Sequence, residues 1–315
     1  MRWIEDAWNA RDLPRPVTAT IGNYDGVHRG QGAILEALVE RGRELDVPAA
    51  VVTFEPHPLT LLAPARAPNR LVSVAQKKEL LEVSGVDLVL EVTFDRSFSE
   101  TSAEFFVRRF LCERLGVRDV FVGSDFQFGR GKEGDISMLR DLGLELGFGA
   151  HGVPEVQHSE APISSSRIRE AVATGDIQSA EEMLGRPFAL RGRIVTGERR
   201  GRGLGWPTIN LMPEQEVIPA RGVYISEVRL AGESRPRPAV SNVGVRPTVS
   251  AGRDLVVESH ILNFSADVYG MEAEVAFLRR LRAERAFESV EALSNQIQQD
   301  VERAQEFFAE RADNG

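Results

Sequence analysis

Apolar residues in the first half of the chain come in short β-branched runs separated by amphipathic stretches, the alternation that βαβ units of a parallel sheet require. Residues 17–21, 49–54, 87–92, 119–123 and 151–156 are expected as strands. Apolar positions at helical spacing predict helices over 32–43, 74–83, 103–115 and 136–146. Residues 164–172 and 176–184 follow as two short helices, each opened by a residue that caps well. After Gly185 the texture changes: Gly, Pro and Arg become frequent, and apolar residues alternate at 194–195, 222–228 and 256–264. This half reads as antiparallel β, and a small closed barrel is the economical way to leave no exposed edge. Val290, Leu293, Ile297, Val301, Ala304 and Phe308 share one face of a final helix over 289–311, expected to pack on the barrel. The pattern predicts an α/β domain with a parallel sheet at 1–184 and a β-barrel domain with a C-terminal helix at 185–315.

Charge narrows the range of partners. With 38 basic and 47 acidic residues the net charge is −9, which repels a polynucleotide backbone. Locally the sign reverses: Arg186, Arg191, Arg193, Arg199, Arg200 and Arg202 face only Glu198 over 186–202, which suits a small phosphorylated ligand. The N-terminus carries acids where a signal peptide carries bases, and no apolar run approaches the ~20 residues that span a bilayer. A cytoplasmic protein without a membrane partner is expected, and nothing in the sequence sets an oligomeric state. The single cysteine, Cys112, is expected to pack inside a helix.

The first strand runs into Gly22, Asn23, Tyr24, Asp25, Gly26, Val27, His28, Arg29, Gly30 and Gln31. Strand, glycine turn and helix start make a phosphate cradle, because free backbone N–H groups and the helix dipole both favour an anion. The plain alternative is a glycine-rich βα turn with a surface histidine; the spacing is neither Walker A nor the dinucleotide fingerprint. Further on stand Ile163, Ser164, Ser165, Ser166, Arg167, Ile168 and Arg169. With Ser164 as N-cap, Arg167 occupies the place where a capping box has Glu or Gln. A bound polyphosphate resolves that conflict, with the serine hydroxyls and Arg169 as donors; simple serine capping is the alternative.

These two motifs resemble those of the nucleotidyltransferase superfamily with its Rossmann-like fold. The segments Thr53, Phe54, Glu55, Pro56, His57, Pro58 and Gly123, Ser124, Asp125, Phe126, Gln127, Phe128, Gly129 resemble internal motifs of bacterial FAD synthetases. The resemblance implies AMP transfer from ATP to FMN with release of pyrophosphate. It places Gly22, Asp25, His28, Gln31, Asp125, Ser165, Ser166 and Arg169 at the ATP, and His57 and Phe128 at the flavin. Gln31 departs from the family, which has a second histidine there.

In the second half, Gly201, Arg202, Gly203, Leu204 and Gly205 lead into Trp206, Pro207, Thr208, Ile209 and Asn210. Glycines let backbone close around phosphates, and Thr208 with Asn210 presents two neutral oxygens on one strand face, a donor set for Mg²⁺; a basic hairpin and turn is the plain alternative. Strict alternation through Val256, Glu258, His260, Leu262 and Phe264 puts Glu258 on a largely apolar face and is expected to aim it inward. It is either an ion-pair partner for a barrel arginine or a base for an attacking hydroxyl.

Residues 186–311 resemble riboflavin kinases, through Gly201 to Asn210, Asn242 to Thr248, Glu258 to His260, Asp267 to Gly270 and Arg282 to Phe287. That resemblance implies Glu258 as the base for the ribityl 5′-hydroxyl, and Gly201, Arg202, Thr208 and Asn210 at Mg-ATP. It puts Arg282 and Phe287 over the flavin. The whole chain resembles the bifunctional bacterial riboflavin kinase and FMN adenylyltransferase, with ATP, riboflavin and FMN as small-molecule substrates, FAD as product and Mg²⁺ as cofactor. Two other readings are a riboflavin kinase whose first domain is inactive through Gln31, and a flavin-binding protein without turnover. The histidines His28, His57, His151, His158 and His260 are scattered and form no zinc motif.

Overall fold

The computed structural model describes residues 1–196, 206–247 and 253–313. Packing divides the chain into two compact units, Met1–Pro68 with Val74–Ser165, and Asn69–Ser73 with Ser166–Gly315.

The first unit holds the strands β1 (Arg2–Ile4), β2 (Thr18–Ile21), β3 (Ala49–Glu55), β4 (Leu88–Thr93) and β5 (Asp119–Gly123). Two short ribbons follow, β6 (Gln127–Phe128) with β7 (Gly134–Asp135), and, beyond strand β8 (Gly149–Val153), β9 (Gln157–His158) with β10 (Ala161–Pro162). The sheet has the order β1-β4-β3-β2-β5-β8, and every pairing in it is parallel. Among its helices are α1 (Arg29–Leu45), the short α2 (Pro58–Leu62) and α3 (Val74–Val83).

Alternate residues of β3 explain why its sequence is an unbroken apolar run. Ala49 and Val51 pack with Leu35, Leu38 and Leu81, whereas Ala50 and Val52 pack with Phe106, Phe110 and Leu139. Both faces are buried, as a parallel sheet with crossover helices demands. From β2 the sheet grows through β3 to β4 and then returns to add β5 on the other side of β2. The carboxyl end of β2 is thus a topological switch point, where open α/β sheets bind ligands.

The expected strands and helices are present, with local differences. Strand β1 has only three residues, too few for any periodic signal. The helix expected over 103–115 is α-helical at Ala103–Phe106 and continues with the wider π spacing over Val107–Arg114. Trp8 stacks on Phe106 and Phe110 there, and burial pushes the Cys112 thiol up, in keeping with a packing role.

In the second unit the strands β11 (Phe188–Val195), β12 (Ile209–Pro213), β13 (Gly222–Leu230), β14 (Arg237–Pro247), β15 (Arg253–Ile261) and β16 (Glu272–Ala283) close into the expected barrel, ordered β11-β12-β15-β14-β13-β16. Its pairings are all antiparallel. Phe277 contacts both Phe188 and Tyr224, and the fully buried hydroxyls of Ser226, Ser241 and Ser259 form a chain of two 2.6 Å hydrogen bonds. The terminal helix, Val290–Asp313, covers a second cluster in which Val223, Ile225, Val240 and Leu278 meet Val301 and Ala304. Two helices precede the barrel, Ser165–Thr174 and Ile177–Leu184, and the second packs on β11 and β16. The compact division therefore lies at Ser165/Ser166, ahead of the change of texture at Gly185.

Candidate active sites

At the switch point the chain leaves β2 through a turn in which Tyr24, Gly26 and Val27 adopt φ of 51°, 99° and 43°. A β-branched residue with positive φ is an outlier that the surroundings must hold in place. Tyr24 helps: its ring is buried, and its hydroxyl meets Thr20 Oγ1 at 2.7 Å. The turn ends on His28, the N-cap of α1. His28 Nδ1 accepts from the Gln31 N–H at 3.2 Å, while Gln31 Oε1 accepts from the His28 N–H, also at 3.2 Å. Because Nδ1 accepts, the proton of the neutral ring sits on Nε2, and His28 acts as a neutral donor. Gln31 closes a reciprocal capping box, a role its amide fills without charge. The first turn of α1 carries no acid, so no carboxylate of its own competes for an incoming anion. Gly30 keeps the ring in place, since a Cβ there would lie 3.2 Å from two of its atoms.

Beside this turn lies a residue that the sequence reading missed. Lys77, on α3, donates from Nζ to the Asn23 carbonyl at 2.7 Å and to Thr53 Oγ1 at 2.9 Å, tying the turn to the end of β3. Only its place on a helix of low amphipathicity hinted at a task beyond packing. His57 caps α2 by accepting the Leu59 N–H on Nδ1 at 3.1 Å, so its Nε2 carries the proton. That nitrogen is 3.0 Å from the Asn23 carboxamide. Turning the Asn23 oxygen toward it gives a partner to the buried Oδ1, which has none in the opposite orientation. Both nitrogens of His57 are then engaged within the protein. If the first unit carries the adenylyl transfer that its motifs resemble, Lys77→Met is expected to slow FAD formation from FMN by about tenfold or more through a loosened turn, with riboflavin phosphorylation unchanged; undiminished FAD formation would contradict this.

The other residues expected here are spread out. Asp125 is exposed, with its carboxylate folded back toward Gly123. Phe128 is 9% exposed and sits in the core, stacked on the half-buried Phe126 at 5.4 Å. Ser165, the last residue of the first unit, donates from Oγ to the Asp25 carbonyl of the glycine turn at 2.8 Å. Ser166 and Arg169 belong to the second unit, where Ser166 is exposed and Arg169 Nε donates to the Asn69 carbonyl at 2.7 Å.

In the barrel, Gly201 and Arg202 lie outside the described residues. Thr208 lines a cavity of about 220 Å³ with Ile209, Ser259, Ile261, Phe264 and Val268. Its approach is fixed by His260, whose Nδ1 meets the Pro207 carbonyl at 2.8 Å and whose ring lies edge-on to Trp206. Asn210 is 3% exposed and stands directly opposite Glu258 on the neighbouring strand.

The expected inward aim of Glu258 is corrected. The fully buried face of β15 is Val257, Ser259 and Ile261; Glu258 and His260 occupy the other, half-buried face. Alternation misled because the terminal helix makes the outside of the barrel apolar as well. The local basic patch is also reduced. Arg191 pairs with Glu274 at 3.5 Å, and burial pushes Arg186 down to about 10 against the pull of Glu274.

Arg282 does not stand alone. Its guanidinium grips Asp300 on the terminal helix through Nε at 2.9 Å and Nη2 at 2.8 Å, and Gln296 donates to the same carboxylate at 3.0 Å. Phe287 lies under both Arg282 and Arg285, with guanidinium-to-ring distances of 5.6 and 4.9 Å. An aspartate beside Ile297, Val301 and Ala304 on the packed side of the last helix was the available signal. With the Asp300 side chain 2% exposed and that of Arg282 17%, Asp300→Ala strands a desolvated cation. Urea denaturation is expected to show a loss of about 3–5 kcal/mol; a change under about 1 kcal/mol would place the pair at the level of a surface bridge.

Comparison with known proteins bears on both sites. A family model described as FAD synthetase matches residues 10–167, and one described as riboflavin kinase matches residues 184–308. The chain is 41% identical over 309 residues to the bifunctional riboflavin kinase/FMN adenylyltransferase of Escherichia coli (strain K12), covering 98% of each. It is 40% identical over 312 residues to the protein of that description from Pseudomonas fluorescens, covering 99% of each. Among solved structures, one from Streptococcus pneumoniae described as a macrolide-efflux protein matches with a TM-score of 0.85 and 27% identity, over 96% of this chain and 98% of that one. Among the described residues no helix is long and apolar enough to cross a membrane.

Proposed function

The chain belongs to the bifunctional riboflavin kinase/FMN adenylyltransferase family, and on that premise we propose how its residues carry the two reactions: phosphorylation of riboflavin to FMN, and adenylyl transfer from ATP to FMN. We assign residues 1–184 to adenylyl transfer and 185–315 to phosphorylation, supported by family matches that end at 167 and begin at 184.

The observation that carries the reading is the pairing of two unlike sites on one chain: an anion cradle capped by His28 and Gln31 at a switch point, and a carboxylate, Glu258, beside Asn210 on a barrel with a cavity at Thr208. In the first site an FMN phosphate oxygen attacks the α-phosphorus of ATP, and pyrophosphate leaves. Backbone N–H groups of the turn, the His28 Nε2–H and the Gln31 amide offer donors to the phosphates, with Ser165, Ser166 and Arg169 as further donors. Asp125 borders the nucleotide, and Phe128 and His57 border the flavin. In the second site Glu258 accepts the proton of the ribityl 5′-hydroxyl as its oxygen attacks the γ-phosphorus, and ADP leaves. Gly201, Arg202, Thr208 and Asn210 hold the nucleotide, and Arg282 with Phe287 covers the flavin.

The donor set suits Mg²⁺. Among the described residues no group of three or more His, Cys, Asp or Glu could hold a metal, whereas the Thr208 hydroxyl and Asn210 carbonyl are neutral oxygens of the kind that a hydrated ion uses alongside substrate phosphates. Bound at Thr208 and Asn210, Mg²⁺ supplies neutralisation of phosphate charge. A chain that consumes ATP and small flavins belongs in the cytoplasm, where ATP is made available.

Labelled ATP tests the assignment. Starting from riboflavin, a γ-phosphorus label is expected in FMN and in FAD, an α-phosphorus label in FAD alone, and EDTA stops both. An α label in FMN, or activity indifferent to EDTA, contradicts it.

A further inference from the structure

Backbone register draws a row of side chains across the outside of the barrel. Asn210 on β12 is opposite Glu258 on β15, Glu258 is opposite Asn242 on β14, Asn242 is opposite Val223 on β13, and Val223 is opposite Arg282 on β16. Directly opposed residues of antiparallel strands project to the same face, and neighbouring strands are about 4.8 Å apart. Starting from the carboxylate, the row reads carboxamide, hydrocarbon, guanidinium. Val223 is 6% exposed and belongs to the cluster under the terminal helix, so it offers no polar group. Asn242 is half-buried, and among the described residues its carboxamide has no hydrogen-bond partner. The next position on its face is Gly244, where a Cβ would lie 3.0 Å from Glu284 Oε1 and 3.2 Å from Asn242 Nδ2. Glycine there leaves room for both side chains.

We propose that Asn242 binds the polyol chain of the kinase substrate through its secondary hydroxyls and sets which polyol-bearing heterocycles are phosphorylated. The inference rests on Glu258 as base and on Arg282 with Phe287 as flavin cover. A substrate with its terminal hydroxyl at Glu258 and its ring toward Arg282 brings its intervening chain to the half-buried Asn242, since Val223 is covered in the cluster under the terminal helix. Secondary hydroxyls both donate and accept, and a carboxamide offers two N–H donors and a carbonyl acceptor to match them. Holding the middle of the chain also directs its reactive end at the carboxylate. A substrate lacking the hydroxyl leaves a half-buried amide without its partner, which is how such a site rejects analogues.

The test uses the full chain, with FAD formation from FMN as an internal check on folding. Asn242→Ala is expected to lower kcat/KM for riboflavin about tenfold or more, with KM for ATP and FAD formation from FMN unchanged. Riboflavin analogues lacking one secondary hydroxyl separate a contact from a structural effect. At least one should lose activity with the unaltered protein and lose no more with Asn242→Ala, a non-additive cycle. If every analogue is penalised equally by both proteins, or if KM for ATP rises instead, the proposal is overturned. Glu258→Gln, measured in parallel, distinguishes the levels. If it still phosphorylates riboflavin, the base assignment falls and the row loses its origin. If it is inactive while Asn242→Ala tracks the unaltered protein, only the Asn242 proposal falls.

Discussion

Glu258→Gln removes riboflavin phosphorylation, by about 10²–10⁴-fold in kcat, and leaves the conversion of FMN to FAD untouched. The substitution keeps the size of the side chain and its ability to hydrogen-bond, but not its capacity to take a proton. Glu258 is half-buried on the outer face of β15, flanked across the ladder by Asn210 and Asn242, so the change adds no cavity and no new charge. The barrel is held by its interior, where Val257, Ser259 and Ile261 are buried, and by the terminal helix outside. Its melting temperature should therefore stay within a few degrees, because surface and half-buried polar exchanges shift stability little. Assays with riboflavin and with FMN, run on the same preparation, check both halves of the statement. Retained phosphorylation would return Glu258 to the role of a structural partner.

The second large effect concerns His28, which has two tasks on one ring. Nδ1 accepts the Gln31 N–H and caps α1, which leaves the ring proton on Nε2, the donor proposed for the phosphates. His28→Ala loses both, with about 1 kcal/mol from the cap and about 10²–10³-fold in adenylyl transfer from the donor. His28→Asn separates them, since asparagine is among the best N-caps and lacks the ring donor. The expected outcome is near-normal stability with FAD formation still reduced about 10²-fold, and riboflavin phosphorylation intact in both variants. Recovery of FAD formation in His28→Asn would make the histidine a cap and nothing more.

Much of the architecture was legible because burial writes itself into the sequence. The unbroken apolar run of β3 and the position of β5 at Asp119–Gly123 follow from core-facing burial, and the structure reproduces their bounds closely. Strand β1 was hidden by its length, and the π segment by the fact that spacing of apolar residues does not separate four-residue from five-residue hydrogen bonding.

The sites were legible as motifs but not as geometry. Gln31 reads as a lost histidine until the structure shows it closing the capping box on His28, and histidine is not among the usual N-caps that prompt such a search. Parity aimed Glu258 inward, since alternation cannot tell the inside of a barrel from an outside covered by a helix. Lys77 and Asp300 reach their partners across 54 and 18 residues of sequence, a separation that no local pattern encodes.

The central claim is that one chain holds two working sites, and its most direct test is a time course with purified protein, riboflavin and Mg-ATP, resolved by chromatography into riboflavin, FMN and FAD. FMN should appear first and FAD should follow at its expense, with pyrophosphate released in step with FAD. FMN that accumulates without FAD would contradict the role given to His28 and Gln31, and the absence of both products would contradict the account as a whole.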